Sequence, residues 1–305
     1  MVYYTCEMCQ TRCNGKKAFT QHQTQCALVR GVDAVRITPS ASDTPILKPI
    51  LKWVGGKTQI ISTLLTEFPD EIQNYHEVFL GGGSVLLGLL SYAKAGVITI
   101  RGTVYAYDLN EPLVYLYKNI QSDHEALYAE IRALVDASRQ CTGDVVHRRP
   151  ATLEEATTSQ ESHYYWTRAR YNRLSLEEQR TVEGSALFLF LNKTCFRGVF
   201  RVGPNGFNVP FGHYDNPEVI HKKHLDDVRD LIRDVRFEVS DFSESLPRAK
   251  EGDFVYLDPP YAPEKETSFV GYTLNGFGAE QHNALFGSCR THLTEKNVKM
   301  MMSNS

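Results

Sequence analysis

The residues with the clearest chemical meaning are Asp258-Pro259-Pro260-Tyr261, directly after the apolar run from Phe254 to Leu257. Such a run predicts a buried strand, and α/β enzymes bind their ligands at the carboxyl edge of the sheet. Consecutive prolines fix φ and remove N–H donors, so nearby carbonyl groups are free to accept hydrogen bonds. A carboxylate and a carbonyl that each accept one N–H can hold an aromatic amine pyramidal, with its lone pair directed at an electrophile. The segment therefore predicts methyl transfer to an exocyclic amine.

A second segment predicts a nucleotide site. The run from Tyr75 to Phe79 indicates a strand, Gly81-Gly82-Gly83 follows it, and residues 84–95 have helical periodicity. Glycines between a strand and a helix let backbone N–H groups approach a ligand at the helix N-terminus. Asp108 ends the next strand-like run, Thr103 to Tyr107, where a carboxylate can accept both hydroxyl groups of a ribose. This geometry is typical of nucleotide sites in general, NAD sites included.

The segment from Lys52 to Thr58 contains part of the pattern of a phosphate-binding P-loop, Gly56-Lys57-Thr58. The P-loop pattern Gly-x4-Gly-Lys-[Ser/Thr] is excluded because Leu51 occupies the position of its first glycine. Lys57 must therefore serve another purpose.

Four motifs together resemble the Dam-type DNA adenine-N6 methyltransferases, over the chain from about Leu47 onward. They are KWVGGK at 52–57, FLGGG at 79–83, DLN at 108–110 and DPPY at 258–261. The resemblance implies a doubly wound α/β (Rossmann-like) sheet that binds S-adenosyl-L-methionine (AdoMet), interrupted by an inserted helical and β-hairpin target-recognition domain. It implies cofactor contacts from Trp53, Lys57, Phe79, Gly81, Gly83, Asp108, Asp241, Phe242 and Asp258. It also implies that Asp258, Pro259, Pro260 and Tyr261 receive an adenine flipped out of the duplex.

The predicted insert contains a basic and aromatic stretch between residues 163 and 176. Its members are Tyr164, Tyr165, Trp166, Arg168, Arg170, Tyr171 and Arg173, with no acidic residue among them. The composition suits contacts to phosphates and bases, and it equally suits a helix with a solvated basic face and an aromatic core stripe.

Residues 190–212 predict a two-stranded ribbon with its turn at Gly203-Pro204-Asn205-Gly206, and such a ribbon fits the major groove of DNA. The resemblance places base-reading residues near its tip. The DNA-contacting residues predicted here are Lys52, Lys193, Phe196, Arg197, Arg201 and Asn208. Because Arg197 occupies a position where several family members have asparagine, the family's GATC target is not transferred to this chain.

The first 26 residues predict a zinc finger. Two cysteines spaced x2 are followed, after twelve residues, by a histidine and a cysteine one helical turn apart. The predicted ligands are Cys6, Cys9, His22 and Cys26. This spacing resembles the two-cysteine two-histidine finger with a terminal cysteine, although Cys13 stands where that family usually has an aromatic residue. A small ββα unit of this kind needs the metal in order to fold.

Length and composition set the remaining expectations. At ~150 residues per domain, 305 residues predict about two domains, and 42% hydrophobic residues suit an ordinary globular chain. The net charge of −3 does not by itself predict a polyanionic partner, so any nucleic-acid surface must be local. The longest apolar run, residues 186–191, is too short to cross a membrane, and no signal peptide is present, so we expect an intracellular location.

We therefore predict an AdoMet-dependent, site-specific adenine-N6 methyltransferase acting on duplex DNA. The predicted parts are a finger (1–30), a linker (31–46), an AdoMet-binding part (47–120), a target-recognition insert (121–235) and a catalytic part (236–305). Alternatives are an inactive zinc-containing DNA-binding protein and an enzyme acting on RNA or single-stranded DNA. Because family members continue beyond a fifth strand at residues 298–302, we expect an incomplete sheet edge. A cognate restriction endonuclease and the oligomeric state stay open.

Overall fold

The computed structural model describes residues 3–5, 12–14, 22, 44–214, 216–261 and 277–303. The chain divides into two compact units, Met1–Ser40 and Ala41–Ser305. In the first unit, β1 (Tyr3–Thr5) pairs antiparallel with β2 (Arg12–Asn14). The predicted ligands Cys6, Cys9 and Cys26 lie outside the described residues, and of this set only His22 is described. Zinc binding therefore stays a prediction.

The second unit contains a parallel sheet of five strands and two short ladders. In chain order the strands are β3 (Glu71–Ile72), β4 (Tyr75–Glu77), β5 (Thr99–Ile100), β6 (Val104–Asp108), β7 (Val202–Gly203), β8 (Gly206–Phe207), β9 (Arg236–Val239), β10 (Phe254–Leu257) and β11 (Lys299–Met302). The five-stranded sheet has the order β11-β10-β4-β6-β9, and each neighbouring pair is parallel. The sequence predicts all five of these strands, with the run from Arg236 to Ser240 predicting β9, and the structure confirms them with small differences at their ends.

Strand β10 shows how the sheet is covered on both faces. Phe254 and Tyr256 belong to one cluster of buried side chains, whereas Val255 and Leu257 belong to another. Because successive side chains of a strand point to opposite faces, one apolar layer covers each side of the sheet. This is the arrangement expected when helices pack on both faces of a parallel sheet.

Helices connect the strands and cover the sheet. In chain order they are α1 (Ile61–Thr66), α2 (Ser84–Lys94), α3 (Glu111–Gln140), α4 (Leu153–Ala156), α5 (Gln160–Arg173), α6 (Leu176–Gln179), α7 (Val182–Thr194), α8 (Lys222–Ile232), α9 (Phe242–Ser245) and α10 (Ala279–Glu295). Among the described helices, none combines the length and the apolar character that crossing a bilayer requires.

Helix α3 joins the sheet to the predicted insert. It begins after Asn110, whose side chain accepts a hydrogen bond from the N–H of Leu113 at 3.2 Å, and it bends at Asp123 (φ −152°). The boundary predicted between residues 120 and 121 falls inside this helix, and residues 41–305 form one compact unit. The predicted insert is therefore continuous with the sheet part in backbone structure, and α3 packs against α7.

The ribbon predicted for residues 190–212 is wrong in its first part. Helix α7 continues to Thr194, so Lys193 is helical, and a single 3-10 turn, Phe196–Gly198, follows it. Only β7 and β8 form a ladder there, with an isolated bridge between Cys195 and Phe211. Residues 190–194, which the prediction assigned to the ribbon, belong instead to this buried helix, and periodicity alone cannot distinguish a short helical segment from a strand. The predicted turn at residues 203–206 is confirmed.

Candidate active site

Three loops meet at the carboxyl edge of the sheet. The chain runs from β4 to β6 on one side, whereas β10 lies on the other side of β4, so the strand order reverses beside β4. Open α/β sheets bind ligands at such a reversal. The glycine turn, Gly81-Gly82-Gly83, follows β4, Asp108 ends β6, and Asp258 follows β10. The sheet thus brings together the nucleotide residues and the amine-binding residues predicted from the sequence.

The glycine turn is shaped by two aromatic side chains. Gly83 has φ +75°, and a Cβ at this position would overlap the hydroxyl group of Tyr117, which donates a hydrogen bond to the Gly82 carbonyl at 2.7 Å. A Cβ on Gly82 would lie 2.8 Å from the Cβ of Trp53. The half-buried Trp53 therefore covers the turn. Close packing requires glycine at position 82, and both close packing and the backbone angle require it at position 83.

Asp108 is bound by the same turn. Its Oδ2 accepts a hydrogen bond from the N–H of Gly81 at 2.8 Å, and its Oδ1 accepts one from the N–H of Asn110 at 2.8 Å. Burial raises the pKa of the Asp108 carboxyl, whereas the bonds from Asn110 and Gly81 oppose this rise. Each carboxylate oxygen keeps a second lone pair, so Asp108 can still accept hydroxyl groups from a ribose.

Lys57 links the loop of residues 52–57, called the cofactor loop after its predicted role, to the DPPY motif. Its Nζ lies 2.5 Å from Asp258 Oδ2, 2.8 Å from the Tyr261 hydroxyl oxygen and 2.9 Å from the Gly55 carbonyl oxygen. Its backbone N–H also donates to Ser84 Oγ at 3.0 Å, at the start of α2. The sequence placed Lys57 among the cofactor contacts, whereas the structure places its ammonium on the carboxylate predicted to hold the amine.

The charges of this pair follow from its burial and its hydrogen bonds. Burial opposes the charge of Lys57, but the hydrogen bonds to Asp258 and Tyr261 outweigh it and raise the lysine pKa. Burial raises the pKa of Asp258, and the ammonium of Lys57 opposes that rise. The lysine pKa lies above an ordinary value that is already far above neutral pH, so Lys57 carries its proton and its ammonium favours the carboxylate form of Asp258. Among the described residues, the second oxygen, Oδ1, accepts one longer bond, from the Tyr261 hydroxyl at 3.3 Å.

An aromatic group borders the opposite side of the glycine turn. Phe79 lies 6.2 Å from Phe242 and 5.7 Å from Phe277 between ring centroids. Asp241 starts helix α9 and accepts a hydrogen bond from the N–H of Ser243 at 2.9 Å. The predicted residues 79, 241 and 242 therefore form one apolar wall with an acidic rim. Phe277 was missed, because it precedes a helix without any motif to mark it.

Glu77 is a second residue that the sequence reasoning missed. Its carboxyl group is 1% exposed at the end of β4 and accepts a hydrogen bond from the Tyr75 hydroxyl at 2.7 Å. Burial, with the nearby carboxylates of Asp258 and Asp108, raises its pKa to about 8, although the bond from Tyr75 opposes the rise. An acidic residue inside the run from Tyr75 to Phe79, which the sequence predicts as a strand, was the signal that could have identified it. At neutral pH this carboxyl carries its proton.

Four of the six predicted DNA-contacting residues lie in two neighbouring segments, whereas Lys52 lies in the loop before α1 and Lys193 in helix α7. Phe196 is 48% exposed, and Arg197 is exposed with φ +56°, with its guanidinium 5.3 Å from the Phe196 ring centroid. On the short ladder, Arg201 Nε donates to Asn208 Oδ1 at 2.6 Å. A residue other than glycine with positive φ costs about 1 kcal/mol, and such strain is typical of functional positions.

The aromatic stretch of helix α5 supports the core-stripe alternative. Tyr164, Tyr165 and Tyr171 are buried, and the Tyr164 hydroxyl donates to the Val209 carbonyl at 2.8 Å. Arg168 donates to the same carbonyl at 3.0 Å. The three tyrosines are therefore turned away from solvent, and Tyr164 and the half-buried Arg168 support the segment that follows the ladder.

Comparison with known proteins agrees with this geometry. The family model described as D12 class N6 adenine-specific DNA methyltransferase matches residues 53–305. The type II methyltransferase M.MjaIII of Methanocaldococcus jannaschii is 35% identical over 266 residues, which cover 85% of this chain and 84% of that protein. The type II methyltransferase M1.LlaDCHI of Lactococcus lactis subsp. cremoris is 30% identical over 263 residues, with 85% and 81% covered. A DNA adenine methylase of Haemophilus influenzae is 28% identical over 262 residues, with 84% and 79% covered.

Proposed function

Because the chain belongs to the D12 class N6 adenine-specific DNA methyltransferase family, it is an adenine-specific DNA methyltransferase, and we propose here which of its residues perform the reaction. AdoMet is the methyl donor of this family. The observation that carries the proposal is the carboxylate of Asp258, held beside the glycine turn by Lys57 at 2.5 Å.

The residues at the sheet edge fit AdoMet. Asp108 keeps lone pairs for the ribose hydroxyl groups, and the turn with positive φ at Gly81 (+51°) and Gly83 (+75°) leads directly into the N-terminus of α2, where polar and anionic groups are favoured. Phe79, Asp241 and Phe242 would border the adenine, and Trp53 and Lys57 would bound the methionine part. When bound, AdoMet supplies an electrophilic methyl group on a sulfonium.

The DPPY motif would bind the target amine. Oδ1 of Asp258 is the oxygen offered to one N–H of the adenine, because Lys57 holds the other oxygen. The Pro259 carbonyl accepts the second N–H, and Pro260 fixes the chain so that this carbonyl keeps its direction. Both acceptors together turn the nitrogen lone pair toward the methyl group. The methylated nitrogen then gives up one proton, for which Asp258 is the nearest acceptor.

A flipped base also needs a surface to replace its stacking partners in the duplex. The half-buried ring of Tyr261 lies next to Asp258 in the chain and offers its face for this purpose. Base flipping brings the exocyclic nitrogen to a site at the sheet edge that a paired base cannot reach.

The turn at residues 196–198 and the ladder β7–β8 would read the DNA. Arg197 and Arg201 can pair with guanine edges, and Phe196 offers an exposed ring for stacking. Asn208 orients Arg201 through the 2.6 Å bond. Lys52 and Lys193 add positive charge beside the turn, although the Lys52 ammonium also donates to the Lys193 carbonyl at 3.3 Å.

In the first unit, we propose that Cys6, Cys9, His22 and Cys26 hold a structural zinc ion, on the strength of their spacing. A cognate endonuclease is a partner that the type II names of the relatives make worth testing.

The test is transfer of labelled methyl groups from AdoMet to mixed-sequence duplex DNA, with the product base identified by mass spectrometry. We expect N6-methyladenine from the wild type and loss of at least ~100-fold in rate for Asp258→Asn, because the amine loses its charged acceptor. AdoMet binding by the variant serves as the folding control. Equal methylation of RNA or single-stranded DNA, or an active Asp258→Asn variant, would contradict the proposal. Sequencing the modified sites supplies the target.

A further inference from the structure

One buried amide joins the cofactor loop to the segment that carries Phe196 and Arg197. Asn192 lies near the end of α7 and is 1% exposed. Its Oδ1 accepts a hydrogen bond from the N–H of Lys52 at 2.9 Å, and its Nδ2 donates to the Lys52 carbonyl at 2.8 Å. The same Nδ2 donates to the Gly198 carbonyl at 3.2 Å. One side chain therefore binds the backbone of both loops.

Further contacts make this junction tight. The rings of Trp53 and Phe200 stack with centroids 5.9 Å apart and an interplanar angle of 21°. A Cβ on Gly198 would overlap the Cβ of Lys52, so the two backbones are as close as glycine allows. Close packing of this kind transmits displacement, because neither loop can move without disturbing the other.

One end of the junction leads to the proposed cofactor site, and the other leads to the turn proposed to read the DNA. Trp53 follows Lys52 directly and covers the glycine turn, with its side chain 3.1 Å from a Cβ built on Gly81. Gly198 directly follows Arg197 at the exposed turn. The path from the cofactor pocket to the DNA-reading turn therefore runs through two peptide groups and one buried amide.

We propose that Asn192 is a positioning residue that couples cofactor binding to DNA recognition. A bound cofactor immobilises Trp53 and hence the backbone of Lys52, and Asn192 passes this restraint to the Gly198 carbonyl. The turn then loses less conformational freedom when DNA binds. Because coupling is reciprocal, bound DNA raises the affinity for the cofactor by the same factor. This inference rests on the proposed roles of residues 52–57 and 196–201.

The chain offers a matched control for this residue. Asn172 on α5 makes the same pair of amide bonds to one backbone, accepting from the Phe207 N–H at 2.8 Å and donating to the Phe207 carbonyl at 2.9 Å. It supports the ladder but makes these bonds within the DNA-reading region alone. Replacing Asn172 should therefore weaken DNA binding without changing the coupling between the two ligands.

The test measures the affinity of S-adenosylhomocysteine by calorimetry with and without a duplex that carries a mapped methylation site. We expect the duplex to raise the wild-type affinity at least about 5-fold and to change that of Asn192→Ala less than about 2-fold. Asn172→Ala should keep the wild-type ratio, which is the affinity for S-adenosylhomocysteine with the duplex divided by the affinity without it. Asn192→Asp keeps the shape and the acceptor for Lys52 but loses both donated bonds. This variant should also lose most of the rise in affinity that the duplex causes.

Three outcomes would overturn the inference: a wild-type ratio of one, an unchanged ratio in both Asn192 variants, or an equal loss of ratio in Asn172→Ala. Wild-type protein that binds neither ligand would instead overturn the proposed function, and the inference with it. The ratio separates a positioning role from a merely structural one, because general destabilisation lowers both affinities and leaves their coupling unchanged.

Discussion

The Lys57–Asp258 pair yields a prediction about the pH dependence of methylation. Replacing Lys57 by Met removes the ammonium 2.5 Å from Asp258 Oδ2, and with it the hydrogen bond and the charge that oppose the raised pKa of Asp258. The Asp258 pKa should therefore rise further. Since the amine needs an ionised acceptor, the acid limb of the rate profile should move to higher pH.

The size of this shift follows from the contact. A hydrogen bond to a charged group contributes about 1.5–3 kcal/mol, and one pKa unit corresponds to about 1.4 kcal/mol. Asp258 is 20% exposed in its side chain, so solvent screens part of the effect and the lower figure applies. We expect the acid limb to move up by about one pH unit.

The assay is single-turnover methylation of duplex DNA between pH 5 and 9. AdoMet is kept at saturation because Lys57 is also proposed to border the cofactor. Lys222→Met is the control, since the Lys222 ammonium contacts two carboxylates, Glu125 and Asp226, in another part of the unit. Its profile should match the wild type. An acid limb that stays in place in Lys57→Met would refute the charge assignment of the pair.

Other predictions concern stability and metal content. The pKa of Glu77, about 8, lies above its ordinary value of 4.5. The contribution of its protonated carboxyl to the free energy of unfolding is therefore complete below pH 4.5 and is lost as pH rises through 8. As pH rises from 5 to 8, Glu77→Gln should therefore become more stable relative to the wild type, by up to about 1.4 kcal/mol per pH unit. A difference in melting temperature that stays constant over this range would count against this assignment. Arg197→Gly should raise the free energy of unfolding in urea by up to about 1 kcal/mol through relief of the positive φ, while DNA binding weakens; stronger binding would argue against a recognition role. Elemental analysis should find one zinc ion per chain, and Cys6→Ser should lose it; a metal-free wild type would end the finger hypothesis.

The sequence predicts the ligand-binding edge of the sheet well because β4, β6 and β10 are short, contain apolar or aromatic residues, and end at or lead into a marked residue. Asp108 and Asp258 each end such a run, and parallel strands place their carboxyl ends together. The order of motifs along the chain was enough to predict which loops meet.

Contacts within the site were harder to predict, because they depend on distances that no spacing encodes. Lys57 reaches across 201 residues to Asp258, and Asn192 reaches across 140 residues to Lys52. The ribbon failed for a different reason, since an apolar run such as residues 186–191 suits a buried helix and a strand equally. Glu77 was overlooked because its importance arises from burial alone.

The turn at residues 196–198 has a consequence for how such enzymes could acquire new targets. Its backbone is held from behind by Asn192 and by the tight fit of Gly198 against Lys52, while the side chain at position 197 projects into solvent. Under the role proposed for this turn, a substitution at this position can therefore alter the groups presented to the bases without disturbing the sheet or the proposed methyl-transfer residues. In this proposed arrangement, the residue that reads the DNA can change during evolution while the residues that transfer the methyl group stay the same.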